Sequence, residues 1–267
     1  MSGQRTWSGS ESLQDENRMI SSRTNPKIVH AVRVREGQEP DLVFVEGARL
    51  CAELISAGWP VESIFYVPES AAPPSGLALE PTAVTDSVMQ KLAGTVSSQG
   101  IVIIARKPNR IPPLPSQGLL LALDAVQDPG NVGTLLRTAE AAGVQAVILL
   151  DGCASAWSPK ALRASMGSAF RVPVHRMNAE QLVSWCDEHH WQLVAAAGGG
   201  SVRHTKLDFT QPMVLVLGNE GNGVSPPLLA ASNQRVSIPL HGQVESLNVA
   251  AAAAVLLFEA ARQRHPD

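Results

Sequence analysis

The chain has 267 residues, with 21 Lys and Arg against 24 Asp and Glu, and a formal net charge of −3. Apolar residues make up 45% and charged residues 17%, which excludes a disordered chain. The length suits one large domain or two modest ones, and the near-neutral balance lacks the overall basic footprint that nucleic-acid partners usually leave.

The three cysteines, Cys51, Cys153 and Cys186, are widely spaced and form no CxxC. That pattern points away from a disulfide framework and from a structural zinc site. Residues 1–18 are mostly polar and lack the apolar core of a secretory signal. The longest apolar run, 249–258, is about half of the ~20 residues that a membrane-spanning helix needs. The expectation is a cytoplasmic protein with reduced thiols, no membrane and no metal.

Residues 1–17 read as a flexible tail. From 18 to 108 the pattern alternates. Residues 41–45 and 63–67 are β-rich, 47–57 place Leu50, Leu54 and Ile55 at helical spacing, and 71–76 form a loop. Residues 85–92 suit a short helix capped by Thr85 or Asp86, and 101–104 form a strong strand. This is a small α/β domain. The stretch 106–118 carries four prolines, which sustain neither a helix nor a central strand. A linker at 109–117, with the boundary near residue 112, follows.

The second half, 118–267, alternates more cleanly. The apolar run 119–123 suits a parallel strand covered on both faces. Helices are expected at 134–142, 159–165, 179–189 and 247–262. Strands are expected at 146–150, 192–197, 212–217 and 235–238, with an extended piece around Pro173. The fold class is α/β with a mostly parallel sheet.

Three segments each follow a predicted strand, where open α/β sheets place their ligands. The first, 124–139, is a turn of Asp, Pro, Gly and Asn running into a helix. Asn131 suits its N-cap region, and Arg137 lies about two turns inside. The second, 217–225, carries three glycines and two asparagines around Glu220. Glycine lets a backbone approach a ligand closely. It is neither a Walker A loop nor GxGxxG, so a nucleotide-binding module is weakly supported. The third, 238–250, leads into the last helix, which Ser246 can cap. Read alone, each segment also fits a plain βα loop, a glycine turn or a capped helix.

Together the three segments resemble the motifs of the SpoU/TrmH RNA ribose methyltransferases of the SPOUT superfamily. Asp128-Pro-Gly-Asn-Val-Gly133 with Arg137-Thr-Ala is similar to the first motif. Leu217-Gly-Asn-Glu-Gly-Asn-Gly223 with Ser225 is similar to the second, and Ile238-Pro-Leu with Glu245-Ser-Leu-Asn-Val-Ala250 to the third. Residues 160–174 also read like this family. Ser22-Arg-Thr-Asn-Pro-Lys27 and Phe44-Val-Glu-Gly47 resemble the substrate-binding domain that often precedes the methylase.

The resemblance implies S-adenosylmethionine as methyl donor and a ribose 2′-hydroxyl of RNA as acceptor, with ribosomal RNA favoured by the appended domain. A tRNA substrate, or a non-catalytic RNA-binding protein of the same fold, stand as alternatives. It further implies a deep C-terminal trefoil knot, which nothing in the periodicity indicates, and a homodimer through the methylase domain. Arg137, Asn131, Glu220, Ser246 and Asn248 fall on the catalytic positions. Ala196, Leu217, Gly218, Asn219, Gly221, Ile238, Leu240, Ser246, Leu247 and Asn248 fall on the cofactor positions. Guanidinium stays protonated, so Arg137 suits a clamp on phosphate and developing alkoxide better than a literal base.

Positive charge is bunched locally. Arg23, Lys27, Arg33 and Arg35 lie in one acid-free stretch with Asn25, and Lys160, Arg163, Arg171 and Arg176 in another. Phosphate contacts need such clusters rather than a basic total. RNA binding is therefore expected of Arg23, Asn25, Lys27, Arg33, Arg35, Lys160, Arg163 and Arg171.

Overall fold

The computed structural model describes residues 19–74, 79–93 and 98–266. The tail expected at 1–17 lies outside the described residues. Contacts divide the chain into two units, Met1–Lys107 and Pro108–Asp267.

The first unit runs α1 (Pro26–Arg35), β1 (Leu42–Glu46), α2 (Ala48–Ser56), β2 (Val61–Tyr66), β3 (Thr82–Ala83), α3 (Asp86–Leu92) and β4 (Ile101–Arg106). Its sheet has the order β1-β4-β2-β3, with β4 antiparallel to both neighbours. The apolar strand β4 lies between β1 and β2, and the consecutive buried residues 101–105 show that both its faces are covered. Ile28, Ala31 and Val34 of α1 pack with Val88, Met89 and Leu92 of α3 over Phe44, Phe65 and Ile104. Helix α1 was not anticipated. Its signals are Pro26 at the first turn and the Asn25 side chain, which accepts from Lys27 N at 2.9 Å. Burial pushes the Cys51 thiol up to about 12, an inert packing group.

The second unit runs β5 (Leu119–Asp124), α4 (Pro129–Ala141), β6 (Ala146–Leu149), α5 (Pro159–Ser165), β7 (Val174–Arg176), α6 (Ala179–His189), β8 (Gln192–Ala196), β9 (Val202–Arg203), β10 (Met213–Gly218), α7 (Pro226–Ala231), β11 (Gln234–Ser237) and α8 (Val249–Arg264). The order is β7-β6-β5-β10-β8-β11-β9, and every pair is parallel. Strand β10 thus lies between two strands that precede it in the chain. The residues of β5 are all buried, as a strand covered on both faces requires. Leu114 of the proline-rich stretch packs against this core.

Two expectations are corrected. Helix α4 starts at Pro129, five residues earlier than expected, because Asp128 caps it and Pro129 fills the first position. Asn131 is therefore inside the first turn rather than at the cap. Helix α8 is capped by Asn248, not Ser246: the side-chain Oδ1 of Asn248 accepts from Ala250 N at 2.9 Å and Ala251 N at 3.4 Å. The short elements β9 and α7 were not anticipated.

Candidate active site

Because the strands are parallel, the loops after β5, β8, β10 and β11 open at one edge of the sheet. The three motifs span the loops after β5, β10 and β11 and the first turns of the helices that follow the first and third.

The first loop starts at Asp124. Ala125 follows in the left-handed region, at φ 54, which is uncommon for a residue with a Cβ. Asp128 Oδ1 accepts from Gly130 N at 2.9 Å and from Lys160 Nζ at 2.6 Å. The Lys160 bond, backed by the Gly130 backbone, holds Asp128 below the usual carboxylate range. Gly133 lets α4 and α5 touch: a Cβ there would lie 2.2 Å from the Ala161 carbonyl oxygen.

The second loop is a closed hairpin. Asn219 and Gly223 exchange backbone bonds of 3.1 and 2.8 Å. Asn219 Oδ1 accepts from Gly221 N at 2.8 Å, and its Nδ2 donates to the Ala125 carbonyl at 2.9 Å. Gly218 has no room for a side chain, since a Cβ would lie 2.0 Å from the Gly223 carbonyl carbon. The third loop, by contrast, runs exposed from 240 to the Asn248 cap.

The loops after β8, β10 and β11 enclose a cavity of about 340 Å³, within the range of small-molecule sites. Nine of the ten expected cofactor residues line it: Ala196, Leu217, Gly218, Asn219, Gly221, Ile238, Leu240, Ser246 and Leu247. Asn248 does not, being turned to the cap of α8. Val249, Ala252 and Leu256 add one face of α8, and Val236 adds the end of β11. Sequence reasoning missed these four; the 3- and 4-residue spacing on the last helix was the available signal. Among the described residues, the only charged side chains in the lining are Glu220 and Glu245. A phosphate would meet no cation there, whereas a sulfonium or ammonium would meet carboxylates. Apolar walls, glycines and acidic groups thus fit S-adenosylmethionine.

At the rim, three expected catalytic residues meet. Asn131 Nδ2 donates to Glu220 Oε1, and Asn131 Oδ1 accepts from Asn248 Nδ2 at 3.3 Å. Asn131 is locked between two loops, so its amide orientation is fixed by its partners. Ser246 lines the cavity without joining this cluster. Arg137 lies six residues further along α4, exposed, and its guanidinium makes no hydrogen bond or ion pair to a described residue.

The expected RNA-binding residues fare differently. Arg35 Nη1 donates to the carbonyls of Lys91, Leu92 and Ala93, closing the end of α3. Asn25 caps α1, Arg23 Nε donates to Ser87 O at 3.0 Å, and Arg33 pairs with Glu39 at 2.9 Å. Lys160 pairs with Asp128, and Arg171 binds both oxygens of Glu140. Lys27 and Arg163 are exposed, with no partner for their charged groups among the described residues. No group of three or more potential metal ligands occurs among the described residues. None of their helices is long and apolar enough to cross a membrane.

Residues 118–258 match the model of the SpoU rRNA Methylase family, and residues 25–103 that of the MRM3-like substrate binding domain. The chain is 31% identical over 245 residues to 23S rRNA (guanosine(2553)-2′-O)-methyltransferase RlmP of Bacillus subtilis, spanning 90% of this chain and 98% of that one. An AdoMet-bound rRNA methyltransferase structure from Sinorhizobium meliloti superposes with a TM-score of 0.81 at 31% identity, over 91% of this chain and 97% of that one. The SpoU methyltransferase AviRb from Streptomyces viridochromogenes, in complex with AdoMet, gives 0.82 at 27% identity, over 90% and 98%. With the motif residues gathered at one cavity and the family model matched across most of the second unit, the chain belongs to the SpoU rRNA methylase family.

Proposed function

We infer that this chain transfers a methyl group from S-adenosylmethionine to a ribose 2′-hydroxyl of ribosomal RNA. The carrying observation is the Asn131–Glu220–Asn248 cluster at the rim of a cavity whose charged lining is acidic. Bound S-adenosylmethionine supplies an activated methyl on a sulfonium, which needs no metal to leave. The chain's own residues do the rest. Glu220 and Glu245, the charged groups of the lining, would offset the positive charge of a bound sulfonium. Asn131 commits one N–H to Glu220 and has a second to offer a hydroxyl. Arg137 remains protonated, so its role is to hold a phosphate beside the reacting ribose and to stabilise alkoxide charge as it develops.

Residues 217–223, 238–240 and 246–248 form a deep trefoil knot; the entry of β10 between the earlier strands β5 and β8 supports it. Two copies pair through the methylase domain, supported by Val255 and Phe258 of α8, which are 39% and 53% exposed one turn apart. Residues 18–108 read the substrate, 109–117 link, and 118–267 methylate. Lys27 and Arg163 are the readiest phosphate contacts, since their charges are not spent within the fold. The location is cytoplasmic.

Radiolabelled methyl transfer to ribosomal RNA, followed by mapping of the 2′-O-methylated nucleotide, tests this. Arg137→Ala should abolish transfer while S-adenosylmethionine affinity stays within about 3-fold, the signature of a group acting in the transition state. Full turnover by that variant would overturn the role of Arg137. Transfer to tRNA but not to ribosomal RNA would replace the substrate.

A further inference from the structure

We propose that Asp124 is a positioning residue for methyl transfer: its buried carboxylate anchors the loop 218–225 and so holds Glu220 against Asn131. The proposal rests on the reading of the cavity as the methyl-donor site.

Asp124 is the last residue of β5 and only 7% exposed. A carboxylate is costly to bury unless its oxygens are hydrogen-bonded. Its Oδ2 accepts from Ser225 N at 2.7 Å, a charge-assisted bond to the residue that closes the glycine loop. The other end of the loop is tied one residue away, where Asn219 Nδ2 donates to the Ala125 carbonyl at 2.9 Å. Both ties depend on strand register, because β10 sets Gly218 beside Asp124.

Between the ties, the backbone is closed on itself by the Asn219–Gly223 pair. Glu220 sits inside that closed segment, and its side chain is what meets Asn131. The left-handed φ of Ala125 turns its carbonyl to Asn219 rather than along the strand. Asp124 does not line the cavity. It therefore acts through the loop, neither touching the donor nor accepting a proton from the ribose. A misplacement of Glu220 and Asn131 by about an ångström is the kind of defect that lowers turnover strongly.

The test uses the full chain with Asp124→Ala, Asp124→Asn and Asn219→Asp. In Asp124→Ala, kcat should fall by about 10²-fold, as expected for lost positioning. The KM for RNA should stay within about 2-fold, since the loss lies in the reacting geometry. Amide exchange in 219–225 should speed by about 10-fold or more while 119–123 is unchanged, which separates loop release from general unfolding. Asp124→Asn keeps an acceptor oxygen and should recover turnover to within about 3-fold. Asn219→Asp removes the donor to Ala125 and should reproduce the Asp124→Ala pattern, which keeps the test open if that variant fails to fold.

Wild-type kcat in Asp124→Ala, or unchanged exchange in 219–225, would overturn the proposal. So would a loss of activity that only follows the loss of folded protein in melting curves. Wild-type chain that binds no S-adenosylmethionine by calorimetry would instead overturn the reading of the cavity, and the exchange measurement would still decide whether Asp124 anchors the loop.

Discussion

Two of the loops that wall the cavity are built in opposite ways. Residues 218–225 are pinned at both ends to the turn after β5 and closed by their own backbone bonds. Residues 239–247 form no hydrogen bond to other described residues, and Val244 there is 61% exposed. The pinned wall carries Glu220, whose partner Asn131 must be oriented before the ribose arrives. The open wall leaves its backbone donors and acceptors to solvent, where a ligand can take them. Preorganisation is placed where charge develops, and local stability is lowest where a ligand can supply the missing contacts.

Substituting glycines in the two walls breaks this contrast most directly. Gly218→Ala drives a Cβ to 2.0 Å from the Gly223 carbonyl carbon, whereas a Cβ at Gly242 meets nothing within 4 Å. Gly218→Ala should cost about 1–3 kcal/mol of stability by overpacking. It should also weaken S-adenosylmethionine binding by about 100-fold, since the hairpin that lines the cavity must shift. Gly242→Ala should leave melting and calorimetric affinity at wild-type values. Equal effects in the two variants would end the distinction between the walls.

Asn131→Ala comes next. It leaves the Glu220 carboxylate and Asn248 Nδ2 without the amide that joins them. Turnover should drop by about 10²-fold, the usual scale for removing an oriented polar group from such a site. Calorimetric affinity for S-adenosylmethionine should change little, because Asn131 does not line the cavity. A large affinity loss with normal turnover would make Asn131 part of the donor pocket instead.

The same contrast explains what the sequence reveals. Glycines and asparagines after apolar strands mark the loops. Gly218 was legible because only a residue without a Cβ fits against Gly223, Gly223 because its φ is 69, and Asn219 because a short amide can bond back to Gly221 N. Asp124 was not, because its role depends on the neighbouring strand β10 and on a donor 101 residues away. Capping was half legible: Ser246 and Asn248 are both good caps, and only the position at which the chain enters α8 decides between them. Charge clusters were legible as composition but not as function. Arg35 finds its carbonyl partners 56 to 58 residues on, and Arg171 finds Glu140 31 residues back. Sequence spacing cannot show such pairs, and the acid-free stretches therefore overstated how many cations were free.

A smaller effect is expected at the open wall. Leu247 lines the cavity and is 38% exposed. Leu247→Ala should change stability by no more than about 0.5 kcal/mol, as for most surface positions. Its affinity for S-adenosylmethionine should fall by about 3- to 10-fold, reflecting apolar area that is buried only when the donor binds. A stability loss larger than the affinity loss would mean that this wall is already packed without ligand.

The smallest effect concerns the base of the pinned wall. The Lys160 hydrogen bond, with help from Gly130 N, depresses the Asp128 pKa. A depressed carboxylate contributes stability above its ordinary pKa and loses it as the pH falls through the folded value. The difference in melting midpoint between wild type and Lys160→Met should therefore be present at neutral pH and fade under acid conditions. Both side chains are about half exposed, at 59% and 46%, so the difference should be slight and should shrink in high salt. Asp128 would still accept from Gly130 N in the variant, which keeps α4 capped and Asn131 in place. A difference that persists in acid and in salt would point to the Lys160 stem rather than its charge. Its Cε lies 3.2 Å from where a Gly130 Cβ would stand, so the methylenes already pack over the first turn.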